Sequence, residues 1–309
     1  MSSKAASPLT FQSSDGKCPL CPLKGNPPWN FKSALQSKTK PMTAEAEGNS
    51  GDVVATVELS IAGENLRLEM AAPAEPVRAA QMLPLFRALS ETFVNLAVKK
   101  AHAEGLEVSC AKGCGACCRQ MVPISKIEAH RLRDLVDAMP EPRRSDVVSR
   151  FEEVRRRMEE AGLLEQLRRP EEISDADYRA IGLRYFFQGA PCPFLEDESC
   201  SIHGERPMVC REYLVVSPAE NCQRRSGEPV HVLSIPAEVG EAIKGLDPDN
   251  APQTEGWIPL ILALEWAEAH PPTEFPLHPG TEILRNLFEK LTGRSLPASA
   301  DGPAKTPAG

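Results

Sequence analysis

Aromatic side chains are scarce in this chain: three Trp, three Tyr and ten Phe among 309 residues. Its core must therefore be built mostly from Leu, Val, Ile and Ala, and with hydrophobic residues at 41% there is enough material for one. Positive charge is not in excess either. Lys and Arg number 35 against 43 Asp and Glu, a formal net charge of −8. That balance argues against non-specific nucleic-acid binding, because phosphate contacts need a basic face. Long hydrophobic runs are missing as well. The longest, Trp257 to Leu264, is broken by Pro259 and stopped by Glu265, well short of the ~20 residues of a membrane span. The N-terminal stretch Met1-Ser-Ser-Lys-Ala-Ala-Ser-Pro8 has neither an apolar h-region nor a cleavage pattern. No repeat of fixed period runs along the chain. The expectation is a soluble, cytoplasmic protein of one large or two small domains, bound to neither membrane nor nucleic acid, with a protein partner left open.

What the chain does have is sulfur. Eight of its ten cysteines fall between Cys110 and Cys222, four of them in the run Cys110-Ala-Lys-Gly-Cys114-Gly-Ala-Cys117-Cys118. The others are Cys192, Cys200, Cys210 and Cys222. Core packing does not need sulfur at that density. In the cytoplasm thiols stay reduced, so clustered cysteines favour a metal site over disulfides. Loops of two or three residues between cysteines let the backbone curl until both sulfurs face one centre. Zinc takes about four such ligands, and so does an iron–sulfur cluster. Eight thiols exceed what one zinc needs, which favours iron or an iron–sulfur cluster, although spacing alone does not choose between the metals.

All eight cysteines are candidate ligands, in one site or two. Cys117 and Cys118 are adjacent and do not comfortably bind one ion, so they are expected to point in different directions. Gly113 and Gly115 allow a tight turn. Lys112, Arg119, Arg206 and Arg211 flank the cysteines and can offset thiolate charge. His203 is a further candidate ligand. Pro207 can open a helix whose N-terminus would lower the thiol pKa of Cys210. Cys18 and Cys21 form a lone CxxC pair, too few for a zinc site, and are left out of the main cluster.

The remaining organisation is coarse. Residues 1–50 read as a flexible tail, and so does the chain from 296 to 309. Residues 51–72 read as a β-hairpin, with Val53, Ala55, Val57, Leu59 and Ile61 alternating on one side and Leu66, Leu68 and Met70 on the other. Residues 73–295 read as a helical domain holding the cysteine cluster at 105–225. Within it a helix is expected over about Val77 to Ala103, through Leu83, Phe86, Leu89, Phe93, Leu96 and Lys100, with Pro84 early and Gly105 as its stop. Ser125 and Glu128 have the spacing of a capping box. Residues 141–169 read as one or two amphipathic helices with a salt-bridged face. Further helices are expected from Ile235, over Trp257 to His270, and over Thr281 to Leu291. The fold class is mainly α, a helical scaffold around a cysteine-rich centre with a short N-terminal hairpin.

Cys110, Cys114, Cys117, Cys118 and Arg119, followed by Cys192-Pro-Phe-Leu195, Cys200, Ile202, Arg206-Pro207, Cys210 and Arg211, carry a resemblance. Together they are similar to the YkgJ-like cysteine-cluster family, described as a zinc- or iron-chelating domain. Flagellin lysine N-methylases carry a similar cysteine pattern. The resemblance covers roughly residues 105–225, with His203 standing where the family often has Tyr. It implies binding of zinc, iron or an iron–sulfur cluster and says little about a reaction. The first reading is a metal- or cluster-binding protein in a structural or redox role, without catalysis of its own.

An enzymatic alternative, protein lysine methylation, would need an S-adenosylmethionine pocket, and the glycine-rich strand-to-helix turn of Rossmann type is missing. The Cys110-x3-Cys114-x2-Cys117 spacing also matches radical S-adenosylmethionine enzymes. Those carry an aromatic just before the last cysteine, where this chain has Ala116, and a barrel that no α/β repeat here supports. A vicinal Cys117–Cys118 redox pair is disfavoured by the strain of such a disulfide.

Overall fold

The computed structural model describes residues 43–46, 52–61, 64–223, 229–246, 256–272 and 276–295. Cys18, Cys21 and the C-terminal tail lie outside them. The fold is mainly α, with ten α-helices among the described residues behind a small N-terminal antiparallel sheet. β2 (Asp52–Ile61) and β3 (Glu64–Pro73) pair in antiparallel register, Ala55 opposite Met70, Val57 opposite Leu68 and Leu59 opposite Leu66. Those pairs share one face, as the alternation requires, and it is the buried face. A third strand, β1 (Thr43–Ala46), pairs on the far side of β2 and falls within the segment expected to be a tail.

The first long helix, α1 (Leu83–Ala103), begins six residues later than expected. Pro76–Val77 is instead β4, paired with β9 (His278–Pro279), and a 3-10 turn, Ala79–Met82, leads into the helix. Pro84 sits in the first turn, where its missing N–H costs nothing. The buried stripe runs Phe86, Leu89, Phe93, Ala97 and Ala101, so Lys100 is on the exposed side. A period of 3.6 residues brings Ala97 and Ala101 back to the core, with Leu96 partly buried at its edge and Lys100 turned outward. Gly105, with φ of +76°, ends the segment as expected.

After the cysteine run, β5 (Pro123–Ser125) leads into α2 (Lys126–Asp137). The capping box is present: Ser125 Oγ accepts from Glu128 N–H, and the Glu128 carboxylate accepts from Ser125 N–H. α3 (Arg143–Glu160) and α4 (Leu164–Leu167) fill residues 141–169. They bury Val147, Phe151, Val154, Met158 and Leu167. Arginines and glutamates interleave on the outer face, with Glu153 against Arg156 and Arg157 and Glu265 against Arg155 and Arg168. α5 (Asp175–Phe187), capped by Ser174, was not anticipated from the sequence. α6 (Met208–Glu212), α7 (Ala219–Gln223) and α8 (Val239–Lys244) are short. The apolar run at Trp257 is not one helix. Trp257–Pro259 is β8, paired with β5, then a 3-10 turn, and only Ala263–Ala269 is helical, as α9. Pro259 cannot donate within a helix, and the strand pairing gives the preceding residues partners. The C-terminal helix α10 (Gly280–Thr292) ends at Gly293, φ +65°.

Two apolar clusters result. One joins the sheet, α1, α8 and α10 with Met208. The other joins α2 to α5 and residues 258–264 with Phe194 and Ile202.

Glu238, the residue before α8, has its carboxyl pKa raised from 4.5 to about 7 by burial and by the charge of Glu241. With the folded value above the unfolded one, its contribution to stability is full below pH 4.5 and is lost as pH rises toward 7. Glu238→Gln is therefore expected to raise the melting temperature at pH 8 and to leave it nearly unchanged at pH 4.5. Equal shifts at the two pH values, followed by calorimetry, would refute the assignment.

Candidate metal centre

Four chain segments bring the cysteines together. The first leaves α1 in extended form. Ser109 N–H donates to Val215 O at 2.9 Å, its hydroxyl to Ser217 O at 2.6 Å, and Val215 N–H donates to Cys110 Sγ at 3.3 Å. Gly113 then adopts φ of +89°, a conformation open to glycine at little cost, and turns the chain toward Cys114. Cys117 and Cys118 lie in a 3-10 turn, Ala116–Arg119. Gly115 serves differently from Gly113. A side chain there would press within 2.5 Å of Glu198 Oε2 and 2.9 Å of Leu195, so glycine permits close approach of the second segment.

The second segment is fastened to the first. Cys192 N–H donates to Cys118 O at 2.6 Å. β6 (Leu195–Glu196) and β7 (Ser199–Cys200) form a tight hairpin whose turn residues Asp197 and Glu198 both have positive φ, +48° and +54°. From that turn the Glu198 carboxylate accepts two hydrogen bonds from the Arg119 guanidinium, which also donates to Gly115 O. Arg119 therefore acts as a clasp between the two cysteine segments. Arg211 likewise donates to Arg206 O and Gly204 O. The third segment is α6, which carries Cys210. Its first N–H, that of Met208, donates at 2.7 Å to the buried Glu128 carboxylate of α2. Its last residue, Glu212, accepts from the Ser90 hydroxyl and from Val239 and Gly240 N–H groups. The fourth is α7, with Cys222, which lies against the 3-10 turn of Cys117 and Cys118.

All eight cysteines line one cavity of about 600 Å³, and all eight are free thiols. Cys110 is exposed and the others are half-buried. Lys112, His203 and Arg206 share the lining. Arg206 Nε is buried and has no hydrogen-bond partner among the described residues. His203 stands at the exposed side, its pKa held down chiefly by the charge of Arg206.

Burial pushes the thiols of Cys192 and Cys222 up, to about 12 and about 11. Cys210 is raised well above the ordinary thiol value by the same desolvation and by Cys192, so the expected lowering by a helix N-terminus does not occur. A five-residue helix has a weak dipole, and its first N–H is already taken by Glu128. The neighbouring thiols of Cys117 and Cys118 act on each other, which lowers Cys117 and raises Cys118.

Among the described residues no three His, Cys, Asp or Glu side chains stand together as a ready-made ion site. The thiols line the walls rather than converge on a point, and ligation would require cysteine side chains to rotate inward. The donor set nonetheless fits a thiophilic metal or an iron–sulfur cluster. The thiols are free and line one space, and Arg206, whose buried Nε has no hydrogen-bond partner among the described residues, belongs to the same wall. Protons must leave the raised thiols when metal enters.

The sequence did not disclose Glu128, Glu212 or the Glu198 clasp as supports of the centre. Ser125 and Glu128 were legible as a helix cap, but the third contact of Glu128 comes from 80 residues away.

Among the described residues the strands form one three-stranded and three two-stranded sheets, without a barrel or a parallel sheet. No described helix is long and apolar enough to cross a membrane. No curated protein and no solved structure was found to match the chain. A family model does match: residues 109–226 fit the CxxCxxCC family, described as "Putative zinc- or iron-chelating domain", and this span contains all eight clustered cysteines.

Proposed function

We propose that this protein binds iron, as an ion or an iron–sulfur centre, through its clustered thiolates, in a structural or redox role. One observation carries the reading: eight free cysteines from four segments line a single cavity of about 600 Å³. Eight sulfurs are twice what a lone zinc takes, which favours iron over a single zinc. Arg206 and Lys112 supply positive charge on the cavity wall to offset thiolates. The methyltransferase alternative finds among the described residues no parallel sheet that would hold S-adenosylmethionine at its strand ends.

Protein purified without oxygen is expected to be coloured, with a visible absorption band and iron by elemental analysis. A colourless protein containing zinc would replace iron by zinc, and a protein free of both would end the reading. Cys114→Ser and Cys210→Ser are each expected to lower metal content. Full retention in either variant would remove that cysteine from the ligand set.

A further inference from the structure

Four arginines beside the cysteine segments have acceptors, and a fifth does not. Arg119 has Glu198 and Gly115 O, and Arg211 has the carbonyls of Gly204 and Arg206. Arg87 and Arg131 share the Glu205 carboxylate, at 2.8 and 2.9 Å. Arg206 belongs to the cavity wall, and its buried Nε has no hydrogen-bond partner among the described residues. A guanidinium N–H taken out of water without an acceptor is costly. The backbone around it is nonetheless firmly held. Glu205 before it is gripped by two arginines, and Pro207 after it restricts its φ and ψ. Its own carbonyl accepts from Arg211 Nε at 3.1 Å, and Met208 N–H is bound to Glu128. The chain thus fixes the position of Arg206 on both sides and leaves its donor open. That arrangement suits an acceptor supplied by the occupant of the cavity.

Thiolates gathered around a metal carry excess negative charge and accept hydrogen bonds through sulfur. Resting on the metal-binding reading above, we propose that Arg206 is a positioning residue of the centre, donating its Nε–H to a thiolate sulfur of the loaded site. A contact of that kind fixes the rotamer of the ligating cysteine and draws charge off its sulfur, as outer partners of metal ligands do. Arginine suits the place better than lysine. Its guanidinium stays charged when partly buried, is more weakly hydrated than an ammonium, and presents its donors in a rigid plane. Lys112 shares the wall but is exposed, and it offers a point charge on a flexible stem. In an iron–sulfur centre the same bond to sulfur would raise the reduction potential.

The test uses the full-length, reduced chain and cobalt(II), whose thiolate absorption reports binding. Arg206→Met keeps an unbranched stem and removes the donors. It is expected to bind cobalt(II) about 10–100-fold more weakly than wild type. Its metal-free form is expected to melt at or above the wild-type temperature, because a buried donor without an acceptor has been removed. A purely structural arginine gives the opposite pair, a lower melting temperature with unchanged affinity, and either half of that pair overturns the assignment. Arg206→Lys keeps the charge without the Nε–H and is expected to fall between the two. Wild-type affinity in Arg206→Lys would reduce the role to charge and overturn the hydrogen bond. If protein purified without oxygen carries an iron–sulfur centre, Arg206→Met is expected to lower its reduction potential, and an unmoved potential overturns the contact. A wild-type chain that takes up neither cobalt(II) nor iron would overturn the metal-binding reading itself, and the assignment with it.

Discussion

Replacing Glu128 with Ala is expected to destabilise the fold by about 2–5 kcal/mol and to lower metal content with it. The carboxylate is buried and accepts three hydrogen bonds: from Ser125 N–H and the Ser125 hydroxyl, both at 2.9 Å, and from Met208 N–H at 2.7 Å. Removing it strands two backbone donors in a place water does not reach, and each such orphan costs about 1–3 kcal/mol. Two helix N-termini lose their acceptor at once, α2 and α6. Cys210 is two residues beyond Met208, so the turn that aims it loosens. Glu128→Gln keeps the shape but turns an amide N–H₂ toward a donor, and should recover only part of the loss. Ser125→Ala, which removes the cap alone, is expected to cost only ~1 kcal/mol. Denaturant melts of the three variants give the comparison, and an unchanged midpoint for Glu128→Ala would show that the clamp does not hold α6.

Phe194→Ala is expected to cost about 3–5 kcal/mol, a large share of the total stability of an ordinary domain. Its ring is fully buried and meets Phe151 of α3 edge to face, centroids 5.4 Å apart at 81°, a geometry worth about 0.5–1.5 kcal/mol beyond the area buried. Its carbonyl accepts from both the N–H and the hydroxyl of Ser201. The residue thus pins the loop between Cys192 and Cys200 to the helical core, and its loss should release metal as well as stability. Phe93→Ala in the sheet-side core is the control. That ring is also fully buried and faces the other apolar cluster. A similar loss of stability is expected there, with metal content retained in the fraction that remains folded. If both variants lose metal in parallel, Phe194 has no particular hold on the cysteines.

The parts legible in the sequence were those fixed by near neighbours. Alternation at Val53 to Met70 gave the hairpin, and Ser125 with Glu128 gave a helix start, because the partners are adjacent or three residues apart. Glycine at 113 was readable for the same reason. Longer-range features were not. α5 buries only Ile181 and Tyr185, so it lacks a stripe, and the cap from Ser174 to Asp177 was its only local signal. Trp257 to Leu264 is apolar throughout, and a short run of that kind does not distinguish strand from helix. The pairing of β8 with β5 decides it from more than 120 residues away. At the site, cysteine spacing indicated chemistry, while the meeting of Cys192 with Cys118 and of Glu198 with Arg119 depends on the tertiary fold. The thiol pKa of Cys210 was misjudged because burial outweighs the field of a one-turn helix.

The cysteine cavity lies against one of the two apolar clusters. Met121, Phe194, Ile202 and Leu260 belong to that cluster and also line the cavity. An occupant held there works like a rivet that fastens four lengths of chain to one plate. Emptying the cavity should therefore leave both clusters folded and loosen mainly the segments that carry the cysteines.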